Sequence, residues 1–210
     1  MPPQPPPPIS SQLQDEFGAI DIYLFDQLLK GQFDDRKSVL DAGCGNGRNL
    51  PYFLMKGFSV YGIDSDPAAI AHVRKLAGKL APSLPPAHFI SGDLCTLPWR
   101  DKTMDAVISS AVLHFAADEE RFGAMLREMW RVLKPGGVLF ARLASTIGLE
   151  VPVRWIEGRR ARLPDGSIRF LVDERFLTAW KEALGGRHVE PLKTTNVQNQ
   201  RCMTTWVLEK

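Results

Sequence analysis

Cysteine is scarce in this chain of 210 residues: Cys44, Cys95 and Cys202 are too few and too scattered for a disulfide framework, and no two stand as a CxxC pair. That spacing predicts a reducing, cytoplasmic setting and no metal site. Long apolar runs are also missing. None approaches the roughly 20 residues that span a bilayer, so no membrane partner is expected. An excess of charge is missing too, since 26 basic residues against 24 acidic ones leave a formal net charge of +2, too mild to imply nucleic acid. The opening stretch, Met1 to Pro8, carries neither the basic start nor the apolar core of a leader. Its prolines predict an extended polyproline tail over residues 1–10, with a ligand for a proline-reading domain as the alternative. The remaining residues, 11–210, are long enough for a single α/β domain with a sizeable core.

One further absence is more informative. Val39 and Leu40 form a short apolar run that breaks at Asp41 into glycines at 43, 45 and 47, a pattern of strand, tight loop and helix. A dinucleotide fingerprint GxGxxG counted from Gly43 requires glycine at position 48, where this chain has Arg48. The loop is still suited to a nucleotide, because glycine takes backbone conformations closed to other residues and admits a ligand close to the main chain. Asn46 is the expected cap of the following helix, with Pro51 in its first turn. A second strand over residues 58–63 ends at Asp64, about twenty residues past the glycines. A carboxylate there has two acceptor oxygens for the vicinal hydroxyls of a ribose.

Further along, Gly92-Asp93 precedes Leu97-Pro98, and a turn and fourth strand over Asp101 to Ser109 lead to Leu113-His114. Asp118 caps a helix whose stripe of Phe122, Met125, Leu126, Met129 and Trp130 is core, and Lys134-Pro135-Gly136-Gly137 stops it. Together with the glycine loop, these segments resemble the motifs of the class I S-adenosylmethionine-dependent methyltransferases over roughly residues 37 to 210, with Met104 in place of the family's aromatic before Asp105. The resemblance implies a three-layer α/β sandwich. Its sheet is doubly wound, mostly parallel and seven-stranded, with the last strand antiparallel, N-terminal helices ahead of it and an insertion after the fifth strand.

The same resemblance implies S-adenosylmethionine as cofactor, with S-adenosylhomocysteine as product. Asp41 and the backbone near Gly43 suit the methionyl ammonium. Arg48 has two readings, a contact to the methionyl carboxylate or a pairing with a neighbouring acid that only fixes the loop. Asp64 takes the ribose, and Asp93 with Leu94 the adenine, although an Asp in a loop also makes Asx-turns. Cys44, Gly45, Asn49, Ser65 and Ser109 complete the expected cofactor set. His114 is the candidate for proton removal, against a structural role beside apolar residues.

The acceptor is the least legible part. No Asn-Pro-Pro-Tyr motif and no appended nucleic-acid-reading domain is present, which favours a small molecule over a protein or RNA. Residues 11–31 are expected as a helical lid in which Tyr23 faces the substrate or packs on the sheet. Residues 144–172 are expected as an insertion near the acceptor, with a hairpin around Pro164-Asp165-Gly166. Its arginines, Arg154 and Arg169 among them, form either a solvated face or a site for an anionic acceptor. A monomer or homodimer is expected. A nicotinamide-dependent oxidoreductase and a non-catalytic cofactor-binding domain stay open as rival readings.

Overall fold

The computed structural model describes residues 8–210. Most of the expected polyproline tail lies outside the described residues. Its boundary moves, because α1 (Ile9–Phe17) already starts behind Pro8 and stops at Gly18, φ +62°. Asp21 accepts from the Tyr23 N–H and so caps α2 (Ile22–Leu29). The chain then enters β1 (Ser38–Ala42), the short α3 (Pro51–Met55) and β2 (Ser59–Asp64). Asn46 is not the cap expected for that helix. Pro51 is its first residue and Leu50 precedes it, so the loop runs on past Gly47 before the helix begins.

Asp66 caps α4 (Pro67–Leu80), followed by β3 (Phe89–Ser91) and β4 (Met104–Ser110). Asp118 caps α5 (Glu119–Val132), which gives way to β5 (Leu133–Ser145). The turn at the head of β5 needs its glycines. Gly136 has φ +75°, and a Cβ on Gly137 would stand 2.8 Å from the Lys134 carbonyl oxygen. The insertion follows as β6 (Arg154–Glu157), β7 (Arg160–Arg162) and β8 (Ile168–Phe170). It is a three-stranded antiparallel sheet rather than the expected single hairpin, because the chain also pairs back on itself around Gly158, φ +52°. Asp173 caps α6 (Glu174–Leu184), and the chain ends in β9 (Arg187–His188), β10 (Lys193–Val197) and β11 (Arg201–Glu209).

The main sheet runs β10-β11-β5-β4-β1-β2-β3, with β11 antiparallel to both of its neighbours. It has eight strands rather than seven. The penultimate strand expected over residues 188–192 is broken around Pro191, which has no N–H for a ladder; β9 pairs with the far end of β11, and β10 pairs with its beginning. Alternation along β1 feeds two separate cores, as the pleat requires. Leu40 packs with α5 and α6 through Leu126, Met129 and Leu177, whereas Val39 packs with α2, α3 and α4 through Leu24, Phe53 and Val73. Asp105 ties β4 to the start of β1, accepting from the Lys37 and Ser38 N–H groups and from Lys134 Nζ. This leaves the carboxyl ends of β1, β2, β4 and β5 along one rim, where an open α/β sheet presents its ligands.

Candidate active site

On that rim the glycine loop turns in left-handed backbone, with φ +84° at Gly43, +49° at Gly45 and +77° at Gly47. A Cβ on Gly43 would come within 2.5 Å of Val112, so no other residue fits there. At Gly45 a Cβ would meet no protein atom and would fill open space instead. Asp64 fixes this loop. One of its carboxylate oxygens accepts from the Gly45 N–H at 2.8 Å, and the other from the Asp66 N–H at 3.0 Å. Beside them opens a cavity of about 440 Å³, walled by Gly43, Gly45, Asp64, Ser65, Gly92, Asp93 and Leu94 on one side. Ala111, Val112, Phe115, Arg121 and Met125 close the other. Six of the residues expected from sequence thus share one cavity.

Of these six Asp93 has further partners, while Cys44, Ser109 and Asp41 lie outside the cavity lining. Asp93 does make an Asx-turn, accepting from the Cys95 N–H at 2.9 Å, and also takes Arg121 on both oxygens at 3.0 and 3.1 Å. The Cys95 N–H and the Arg121 guanidinium hold the carboxyl below its usual range, against burial, which pushes it the other way. Cys44 turns its thiol into the core against Gly62 and Phe89, and burial pushes that thiol up. Ser109 is fully buried within β4 and lines neither cavity, because the pleat sends its neighbour Ser110 to the rim instead. Asp41 is buried with one carboxylate oxygen unpartnered, and burial pushes its pKa up to about 7, against the pull of Arg48.

Sequence reasoning missed Asp21. Arg48 donates to it at 3.3 Å and to Ser110 Oγ at 2.7 Å, Ser110 donates to it at 2.9 Å, and Arg142 at 3.2 Å. Asn49 accepts from the Asp21 N–H at 3.0 Å. Of the two readings of Arg48, the pairing with a neighbouring acid is the one seen. Only the Asp-x-Tyr spacing of a helix cap marked Asp21 beforehand.

A second cavity of about 300 Å³ adjoins the first and shares Ala111 and Phe115 with it. His114, Arg142, Arg169, Arg201 and Asp165 face it, with Leu163, Val197 and Met203 as apolar wall. His114 Nδ1 accepts from the Ala144 N–H at 3.1 Å, which places the proton of the neutral ring on Nε2. Burial, then Arg169 and Arg142, push its pKa down to about 3. Proton removal by His114 therefore does not fit, since one nitrogen already accepts and the other already carries hydrogen. Tyr23 and Arg154 line neither cavity. The Tyr23 hydroxyl pairs with Thr195 Oγ1, and its ring lies 5.1 Å from the Arg142 guanidinium. Arg154 stands exposed on β6.

Residues 40–141 match the family model described as a methyltransferase domain, the segment that holds the glycine loop, Asp64, Asp93 and His114. The chain belongs to the class I S-adenosylmethionine-dependent methyltransferases. Among the relatives of this methyltransferase-family chain is a probable S-adenosylmethionine-dependent methyltransferase of Mycolicibacterium smegmatis. It is 31% identical over 121 residues, covering 56% of this chain and 43% of the relative. A malonyl-[acyl-carrier protein] O-methyltransferase of Serratia marcescens is 31% identical over 156 residues, covering 73% and 47%. The chain spans about half the length of the curated relatives it matches. Its fold is also that of the 1,6-didemethyltoxoflavin-N1-methyltransferase of Burkholderia thailandensis, solved with bound 1,6-didemethyltoxoflavin and S-adenosylhomocysteine. The TM-score is 0.66 at 18% identity, over 96% of this chain and 86% of that one.

Proposed function

We propose that the protein is an S-adenosylmethionine-dependent methyltransferase acting on a small molecule seated in the second cavity. The observation that carries this is the junction of the two cavities at Ala111 and Phe115, which sets a nucleotide-sized space against an acceptor-sized one. Two features of the chain fit the cofactor: the unpartnered, buried Asp41 oxygen suits an ammonium, and the open space at Gly45 suits a ligand lying on the main chain. Asp64 is the ribose ligand, and Asp93 with Leu94 borders the adenine. When bound, the sulfonium supplies an activated methyl group. The protein's part is to align an acceptor at roughly 3 Å and to exclude water.

The N-terminal helices form a lid over the rim, held by Asp21 on Arg48 and Arg142. Residues 144–172 wall the acceptor side through Leu163, Asp165 and Arg169. Among the described residues no helix is long and apolar enough to cross a membrane. All three cysteines are free, which suits a cytoplasmic location, and a monomer or homodimer is the proposed state. Parallel calorimetric titration with S-adenosylmethionine, S-adenosylhomocysteine and NADH tests the cofactor. Binding of the two sulfur nucleotides alone is expected; binding of NADH alone overturns the proposal.

A further inference from the structure

The second cavity holds more positive charge than its own acids answer. Arg142 shares the single Asp21 carboxylate with Arg48, and its buried Nε has no partner. Arg201 reaches Asp165 at 3.3 Å. Arg169 has no carboxylate within ion-pair distance among the described residues; it donates to the Ile168 carbonyl and lies 4.7 Å from the Phe115 ring, at the junction of the two cavities. Four guanidinium groups thus meet two carboxylates. The excess asks for an anion with oxygen lone pairs, because guanidinium forks match oxygen acceptors and a sulfur is a weak one.

Proton acceptors are the second observation. His114 presents Nε2–H to the cavity and has its Nδ1 lone pair engaged by Ala144. Asp165 accepts from the Ser167 N–H at 2.9 Å, the Ser167 hydroxyl at 2.6 Å and Arg201, and against burial these bonds hold its carboxyl below the usual range, which makes it a poor base. Among the described residues facing this cavity no side chain is a ready base. An alcohol, a phenol or an ammonium would need such a base; an acceptor that arrives as an anion would not.

Resting on the methyltransferase reading above, we propose that the acceptor is a carboxylic acid with an apolar body, bound as its carboxylate between Arg169, Arg142 and His114 Nε2–H, and methylated on a carboxylate oxygen without a general base. The bond formed joins that oxygen to the methyl carbon. The carbon–sulfur bond breaks with its electron pair left on sulfur, giving a methyl ester and S-adenosylhomocysteine, and no proton moves. Leu163, Val197 and Met203 receive the apolar body.

The probes are phenylacetate and hexanoate, their amides, and phenyl phosphate, titrated calorimetrically into the protein with and without S-adenosylhomocysteine. Each acid is expected to bind at least tenfold more tightly than its amide and more tightly than phenyl phosphate. Arg169→Gln is expected to erase the preference while leaving S-adenosylhomocysteine affinity unchanged, since Arg169 does not line the larger cavity. With methyl-labelled donor, label should enter the acids in an alkali-labile form that releases methanol. Acids that bind no better than amides, a preference that survives Arg169→Gln, or an alkali-stable product overturns the inference. Failure of S-adenosylhomocysteine to bind is a separate failure, of the methyltransferase reading; the acid–amide comparison on the free protein still decides the recognition of carboxylate.

Discussion

Asp21 and Arg48 meet at 3.3 Å, joining the cap of α2 to the loop that follows the three glycines. Asp21 is 3% exposed and Arg48 reaches it from the solvent side, with Ser110 and Arg142 completing the set. Removing the carboxylate leaves Arg142 and the Ser110 hydroxyl without this acceptor and Arg48 with Ser110 Oγ alone. Asp21→Ala is expected to cost about 2–3 kcal/mol, the loss of a cap together with unpaired buried donors. Denaturant unfolding checks the magnitude, and hydrogen exchange should place the loss in α2 and the glycine loop. An exchange pattern equal to the parent's would remove Asp21 as the tie between lid and loop.

Asp64 holds the glycine loop and is also the proposed ribose ligand, and the two roles are separable. Its oxygens already hold the Gly45 and Asp66 N–H groups, so the residue shapes the loop before any ligand arrives. Asp64→Ala is expected to weaken S-adenosylmethionine binding by about 1–3 kcal/mol, the cost of leaving polar partners unmatched, with the fold kept. Titration calorimetry reads the affinity and far-ultraviolet circular dichroism the fold. Unchanged affinity would end the ribose assignment.

Legibility followed locality. The glycine loop, the acids at the ends of β2 and in the loop after β3, and the caps at Asp66, Asp118 and Asp173 are set by near neighbours in the chain, and sequence spacing placed them. Asp21, Arg121 and Arg142 were illegible because each acts across a long separation: Asp21 onto Ser110 and Arg142, Arg121 onto Asp93. The pleat also hides one choice. Ser109 and Ser110 are identical residues on opposite faces of β4, and the register with β5 decides which reaches the rim. Arg154 and Arg169 are alike in sequence as members of one basic cluster. Only the three-stranded pairing puts Arg169 beside Phe115 and leaves Arg154 on the outer strand.

Ala111, at the junction of the cavities, has φ +63°, and its N–H donates to the Arg142 carbonyl at 2.7 Å. A left-handed alanine is strained by about 1–2 kcal/mol, and glycine relieves this at an entropic cost of roughly 0.5–1 kcal/mol. Ala111→Gly is therefore expected to stay within about 1 kcal/mol of the parent. Ala111→Val, β-branched in the same backbone conformation, is expected to cost more than about 2 kcal/mol. Thermal unfolding of the pair checks the order, and a valine variant as stable as the parent would mean that the loop has another conformation open to it.

Asp41 and His114 oppose each other in the same pH window. Burial raises the Asp41 carboxyl from 3.8 to about 7, so the folded state keeps a proton that the unfolded chain releases, and stability falls as pH rises from about 4 to 7. Burial, with Arg169 and Arg142, lowers His114 from 6.5 to about 3, so the unfolded chain takes up a proton that the folded state refuses. Its contribution is lost as pH falls from 6.5 toward 3. Each acts with at most about 1.4 kcal/mol per pH unit, and between pH 4 and 6.5 their slopes cancel. Asp41→Asn should unmask a steeper loss of stability on acidification, and His114→Gln a loss on raising the pH across that window. Denaturant unfolding at half-unit steps reads both, and two variants with the parent's slope would refute the opposition. Cofactor binding adds an independent readout. An ammonium beside Asp41 favours the charged carboxylate, so S-adenosylmethionine should bind more tightly from pH 6 to about 8, where its own amine begins to lose its proton. Asp41→Asn should flatten that rise, and a rise that persists in the variant would move the ammonium away from Asp41.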